Sequence, residues 1–107
     1  MHRSFDIEIN ADPPAKLAVR LTGELDLVAR PTVVEQVTNA LANQPGAEQL
    51  VIDLGGVSFC DSSGLGALLD IQRTADQHGA VVVLRSVPAT VARVLDMAGV
   101  GDVLPQE

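Results

Sequence analysis

Two adjacent serines, Ser62 and Ser63, follow Asp61 and precede Gly64 in the run Asp61-Ser-Ser-Gly-Leu-Gly66. A serine hydroxyl can attack a carbonyl, accept a phosphate or cap a helix, and the neighbours decide which. A serine hydrolase needs a histidine and an acid beside the nucleophile, in a tight turn of the form Gly-x-Ser-x-Gly. Cys60 and Asp61 stand where the first glycine of that turn would be needed, and the histidines are His2 and His78. His78 falls at the far end of the helix expected to start at the serines. A helix of about sixteen residues separates its ends by roughly 24 Å, so the chain does not read as a serine hydrolase and no catalytic residue is assigned.

Other chemistries fail on spacing. Gly64 and Gly66 supply two places of a dinucleotide fingerprint, but Leu69 holds the third. A Gly-Lys-Ser/Thr phosphate loop is missing. One cysteine and two distant histidines cannot make the usual metal-ligand clusters. No metal is therefore expected. Cys60 reads as a small apolar filler or as a redox-sensitive thiol beside the serines. Asp53 reads as a structural hydrogen-bond acceptor or as part of a polar site. Asp61 caps the helix on either reading. The serine pair itself is left between capping and chemistry.

The elements that must position this corner follow from periodicity. Leu50 to Leu54 is apolar and β-branched around Asp53, a strand buried on both faces that breaks at Gly55-Gly56. Leu65, Leu68, Leu69 and the residues to Ala75 fall at helical spacing, so a helix runs from about Ser62 to Gln77, with Gly79 as its left-handed stop. The serines thus sit where a strand hands over to a helix, whose first turn has free N–H groups and partial positive charge. Phe5, Ile7 and Ile9 alternate with polar residues, then Asn10 to Pro14 turns, then Leu17, Val19 and Leu21 alternate again: a hairpin toward an edge. Pro31 opens a helix with Val33, Val34, Val37 and Leu41 on one face. Ala80 to Leu84 is a second wholly apolar strand, expected beside the first in the middle of the sheet. Pro88 opens a third helix striped by Val91, Val94, Leu95 and Ala98 and closed by Gly99; Asp102 to Leu104 is a last short strand.

The order is an α/β one, with a mixed sheet of four to five strands, a central parallel βαβ unit over 50–84 and about three helices in a single domain, 1–107. Function gathers beyond the carboxyl ends of such strands. The Asp61 corner lies there, and the loop from Gly23 to Asp26 should approach it.

Composition narrows the partners. The net charge is −7, from 14 acidic and 7 basic residues, which disfavours nucleic acid and anionic membrane. Two phenylalanines are the only aromatics, so the core must be Leu, Val, Ile and Ala. The apolar run Ala80 to Leu84 is too short to span a bilayer. The first residues lack a signal-peptide apolar stretch, and one cysteine forms no internal disulfide, so the expected location is cytoplasmic.

Asp61-Ser62-Ser63-Gly64-Leu65-Gly66, behind an apolar strand carrying Asp53, resembles the phosphorylation motif of anti-anti-sigma factors, the STAS proteins of bacterial partner switching. Gly23-Glu24-Leu25-Asp26 and Val94-Leu95-Asp96-Met97-Ala98-Gly99 resemble the family's other landmarks, and the likeness spans about residue 5 to residue 104. Cys60 departs from the Ile or Met common before the motif. The resemblance implies an anti-sigma factor antagonist: a substrate of a kinase, not itself an enzyme. It implies Ser63 as the phosphate acceptor, from an ATP-dependent anti-sigma kinase of the GHKL type, with a PP2C-type phosphatase removing the group. Glu24, Asp26, Asp61, Ser62, Ser63 and Gly64 are the implied partner-binding residues. ATP and Mg²⁺ belong to the kinase, so the resemblance implies no cofactor for this chain. A monomer or weak dimer is expected. The rivals are a STAS subunit of a lipid- or anion-transport complex that works without phosphorylation, and a nucleotide-binding module using the Gly64–Gly66 corner.

Overall fold

Alternation along the first two strands builds a hairpin that continues into a parallel sheet. In the computed structural model, which describes residues 5–12 and 15–107, β1 (Phe5–Asp12) and β2 (Lys16–Leu25) pair antiparallel, Ile7 opposite Leu21 and Ile9 opposite Val19. Asn10 to Asp12, expected in a turn over Asn10–Pro14, still pair with Ala18 to Lys16. The prolines at 13 and 14 lie outside the described residues. After β2 come α1 (Arg30–Asn43), β3 (Gln49–Cys60), α2 (Ser62–Gln77), β4 (Val81–Arg85) and α3 (Ala89–Ala98). The sheet order is β1-β2-β3-β4, with β2, β3 and β4 mutually parallel.

One face of the sheet carries the core. Leu17, Val19 and Leu21 of β2, Leu50, Ile52 and Leu54 of β3, and Val82 and Leu84 of β4 point into a single buried cluster. Val33, Val37 and Leu41 of α1, Leu65, Leu68 and Ile71 of α2, and Val91 and Leu95 of α3 complete it. Each fully buried side chain of this kind contributes about 1.5–3 kcal/mol. Ala98, expected on the buried stripe of α3, is exposed.

Four expectations are corrected. β3 does not break at Gly55-Gly56 but bulges there: its register to β2 slips between Arg20↔Asp53 and Thr22↔Gly56, and pairing resumes to Leu25↔Cys60. A Cβ on Gly56 would stand 2.9 Å from the Thr22 hydroxyl and 3.2 Å from the Leu21 carbonyl, so only glycine lets β2 run this close. β3 is also buried on both faces only over Leu50 to Ile52, beyond which Asp53 is half-buried. The opposite face carries a row in register, Glu8, Arg20, Asp53 and Arg85. Val51, buried on that side, lies outside the core cluster. β4 is an edge strand rather than a middle one, with Val81 exposed. The expected last strand is instead a turn over 101–104, beyond which Leu84 N–H donates to the Pro105 carbonyl (2.8 Å) and Glu107 N–H to the Leu84 carbonyl (2.8 Å). The C-terminal segment thus covers part of the β4 edge without a ladder of its own.

Candidate functional site

The corner is made by the carboxyl ends of β2 and β3 and the start of α2. Leu25 pairs with Cys60 and Glu24 with Phe59, so the loop after β2 does approach the serines. The chain enters α2 through Asp61, whose backbone is extended (φ −117°, ψ −167°). Asp61 Oδ1 accepts from the Gly64 N–H at 3.0 Å, and its carbonyl accepts the first helical bond from the Leu65 N–H at 3.0 Å. That is an N-cap, expected whatever the function.

Because Asp61 caps alone, the serines do not. Among the described residues neither Ser62 nor Ser63 makes a side-chain hydrogen bond, which removes Ser62 as a cap. Ser62 is exposed and Ser63 half-buried, both in the first turn of α2. Gly64 is buried against β2: a Cβ there would collide with the Leu25 carbonyl oxygen and lie 2.8 Å from Cys60 Sγ. This contact fixes how the loop after β2 sits against the helix start.

Asp26 differs from expectation. It is 4% exposed, with Oδ1 accepting from the N–H groups of Val28 (3.0 Å) and Ala29 (3.1 Å), and its carbonyl accepting from Arg30 N–H (3.0 Å). It builds the loop that launches α1. The exposed groups of that loop are Leu27 and Val28, 69% and 70% accessible. Glu24 is half-buried at the end of β2. Asp53 takes the structural role: its Oδ1 accepts from Gly55 N–H at 2.8 Å and ties off the bulge.

Cys60 is buried, and burial, then the Asp61 charge, pushes its thiol up to about 11. A thiol so placed stays protonated at neutral pH and is a poor nucleophile, which is the packing role. His78 is exposed at the C-terminal end of α2, its Nδ1 2.8 Å from the Thr74 carbonyl, and His2 lies outside the described residues. Among the described residues no group of three or more His, Cys, Asp or Glu could hold a metal. No helix of the described residues is long and apolar enough to cross a membrane.

Sequence reasoning missed two features here. One is apolar exposure. Ser62 and Leu65 of α2 meet Val94, Met97 and Ala98 of α3 in a groove of about 290 Å³, with Met97 82% exposed. The Val94–Gly99 landmark thus joins the serine motif. The other is Arg30, whose Nε and Nη2 donate to Asp70 Oδ2 at 3.2 and 2.9 Å, while Arg73 holds Asp70 Oδ1. Arg30 lies against Gly66, where a Cβ would be 2.5 Å from Nη1. The missing side chain of Gly66 admits a guanidinium. Burial pulls the Asp70 carboxyl up, but the hydrogen bonds and charges of Arg30 and Arg73 outweigh it and hold the group below the usual carboxylate value. Partners 40 residues apart leave no local signal.

Residues 5–106 match the STAS domain family. The chain belongs to that family. It is 36% identical over 89 residues to an anti-sigma F factor antagonist of Paenibacillus polymyxa, covering 83% of this chain and 75% of that one. It is 32% identical over 87 residues to the Mycobacterium tuberculosis anti-sigma-F factor antagonist RsfA, covering 81% and 68%. In fold it superposes on an anti-sigma factor antagonist of Mycobacterium paratuberculosis with a TM-score of 0.80, at 22% identity, over 96% of this chain and 85% of that one. A murine solute-carrier anion transporter contains the same fold (TM-score 0.75, 18% identity), over 94% of this chain and 19% of that one.

Proposed function

We propose that this STAS protein is an anti-sigma factor antagonist: unphosphorylated, it binds an anti-sigma kinase of the GHKL type and so frees a sigma factor. A phosphate on Ser63 switches that binding off, and a PP2C-type phosphatase restores it. The observation that carries the reading is the division of labour at the start of α2. Asp61 does the capping alone, so the first turn of α2 carries two serine hydroxyls with no structural duty, and Ser62 borders an apolar groove between α2 and α3. A serine kept only for helix stability would be expected to cap. The names of the curated relatives favour the same reading.

A phosphate adds about −1.5 to −2 charges. The helix start tolerates it within the domain, while across an interface it adds to Asp61 and brings bulk and desolvation cost. The domain acts here as a binding protein that is modified, and ATP stays with the kinase. Glu24, Asp61, Ser62 and Ser63 are the polar part of the docking surface. Gly64 and Asp26 shape it from inside.

The experiment is incubation with GHKL kinases and ATP, followed by mass spectrometry and binding measurements. Ser63→Ala should abolish the mass gain, stay folded and keep kinase binding. Ser63→Glu should weaken binding at least tenfold, about 1.4 kcal/mol, with its melting temperature nearly unchanged. Phosphorylation that survives Ser63→Ala and disappears in Ser62→Ala would move the acceptor to the more exposed serine. Normal binding by Ser63→Glu would instead favour a transport-complex subunit that works without phosphorylation, a reading favoured by the same fold occurring in an anion transporter.

A further inference from the structure

On α2, Ser63, Gly66 and Asp70 are spaced i, i+3 and i+7 and so share one stripe of the helix surface. Arg30 reaches across from α1 and lies along this stripe. Its Nε and Nη2 are held by Asp70 Oδ2 at 3.2 and 2.9 Å. Its Nη1 is the atom closest to the place a Gly66 side chain would occupy, 2.5 Å away, and makes no hydrogen bond among the described residues. Side chains three residues apart on a helix have Cβ atoms about 5–6 Å apart. The unused edge of the guanidinium therefore lies one turn from Ser63, within reach of a phosphate on its Oγ.

We propose that Arg30 is an internal ligand for phosphoserine 63: Nη1 takes a phosphate oxygen while Asp70 holds the other edge of the fork. This rests on the reading of Ser63 as the acceptor. Phosphoryl transfer from ATP forms the Oγ–P bond, breaks the bond between the γ-phosphorus and ADP, and passes the hydroxyl proton to the kinase. The product is a dianion where no anion stood before. Arginine suits it, because its planar fork presents several donors in fixed directions and stays charged. Asp70 is the positioning residue, which keeps Arg30 extended over Gly66 before any phosphate arrives. Arg30 is the first residue of α1 and follows the loop that exposes Leu27 and Val28. The modification then reaches beyond its own charge: it ties the start of α1 to the start of α2 and stiffens the apolar loop between them.

The test places phosphoserine at position 63 during synthesis and follows the phosphate by ³¹P titration. The charged groups around it are Arg30, Asp61 and Asp70, with Arg73 farther along α2. An adjacent cation lowers an acid's pKa by about one unit or more. Arg30→Gln should therefore raise the phosphate's second pKa by about one unit, Arg30→Lys should restore part of the shift, and Arg73→Gln should leave it unchanged. In the unsubstituted protein the Arg30 side-chain N–H resonance should move when phosphoserine replaces serine, which needs no variant to fold. An unaltered titration in Arg30→Gln, or equal shifts in Arg30→Gln and Arg73→Gln, would overturn the proposal. A kinase that fails to modify Ser63 would sink the switch instead, and would leave this measurement standing.

Discussion

The two ends of α2 both rely on glycine and for opposite reasons. At the N-terminal end Gly64 and Gly66 have ordinary helical backbones, and what they supply is space, for the Leu25 carbonyl in one case and the Arg30 guanidinium in the other. At the C-terminal end Gly79 has nothing within 4 Å of its missing side chain, and what it supplies is a left-handed backbone, φ +77°. The first end is held by other parts of the chain. The second is held by its own backbone, with His78 N–H bonded to the Thr74 and Ala75 carbonyls. A surface that must present itself reproducibly to a partner belongs at the end fixed from outside. Strand ends, loop and helix start are locked together there, whereas the far end only has to stop.

The sharpest way to break this contrast is Gly64→Ala. The new methyl meets the Leu25 carbonyl oxygen and Cys60 Sγ. Backbone cannot step aside cheaply, so the variant should lose about 3 kcal/mol, the upper range for overpacking. Denaturant unfolding measures it. Adding Cys60→Ala should recover only part of the loss, because the sulfur is the smaller of the two obstacles and the pair is close enough to couple. A loss below about 1 kcal/mol would mean that the loop after β2 moves freely against α2.

How much of this was legible in the sequence follows the same division. The bounds of α2, Ser62–Gln77, match expectation because both signals are local: Asp61 as cap and Gly79 as stop. Gly66 stood in the motif, but what requires its missing side chain was not readable, since Arg30 lies on another helix. Gly55-Gly56 read as a break for a related reason. Alone they end a strand; beside β2 they make a bulge and the strand runs on to Cys60. β4 read as central because all five of its expected residues are apolar, yet the edge position is set by strand order, to which hydropathy is blind. In the corner itself, the serines, Asp61 and the approach of the Gly23–Asp26 segment were readable from motif and topology. The inward turn of Asp26 was not, because Val28 and Ala29 N–H groups claim its carboxylate only once the loop has closed.

Asp61→Ala should cost about 1 kcal/mol, the usual value of an N-cap. The Gly64 N–H, partly buried against β2, loses its 3.0 Å partner. The cap also bears on the serines. If one of their hydroxyls turned inward to replace Asp61, the loss would be smaller and Ser63 phosphorylation would slow. A double variant with Ser62→Ala separates these outcomes: additive losses mean the serines stay out of the cap.

At the other end Gly79→Ala should cost about 1 kcal/mol, the strain of a left-handed non-glycine residue, and Gly79→Asn a few tenths at most, since Asn tolerates that backbone. Neither should touch partner binding. Amide exchange should likewise be faster at His78 than at Leu65. A Gly79→Ala variant that also lost kinase binding would show that the C-terminal end of α2 is fixed from outside after all.

The smallest effect concerns the Arg30–Asp70 pair, and its sign is set by the carboxyl. Asp70 is held below its ordinary value of 3.8, so folding binds the charged form more tightly. Its contribution is complete above that value and is lost as pH falls through the lower folded one. The groups are partly exposed, 36% and 23%, so solvent screens the pair and its worth is about half a kcal/mol. Asp70→Asn should therefore be less stable than the wild type by about that amount at neutral pH, and the two should converge in acid. High salt should narrow the neutral-pH gap in the same way. A gap that persisted at low pH would mean that the side-chain shape of Asp70, and not its charge, holds Arg30 over Gly66. The start of α2 would then be fixed by packing alone, and the contrast with its far end would lose its electrostatic part.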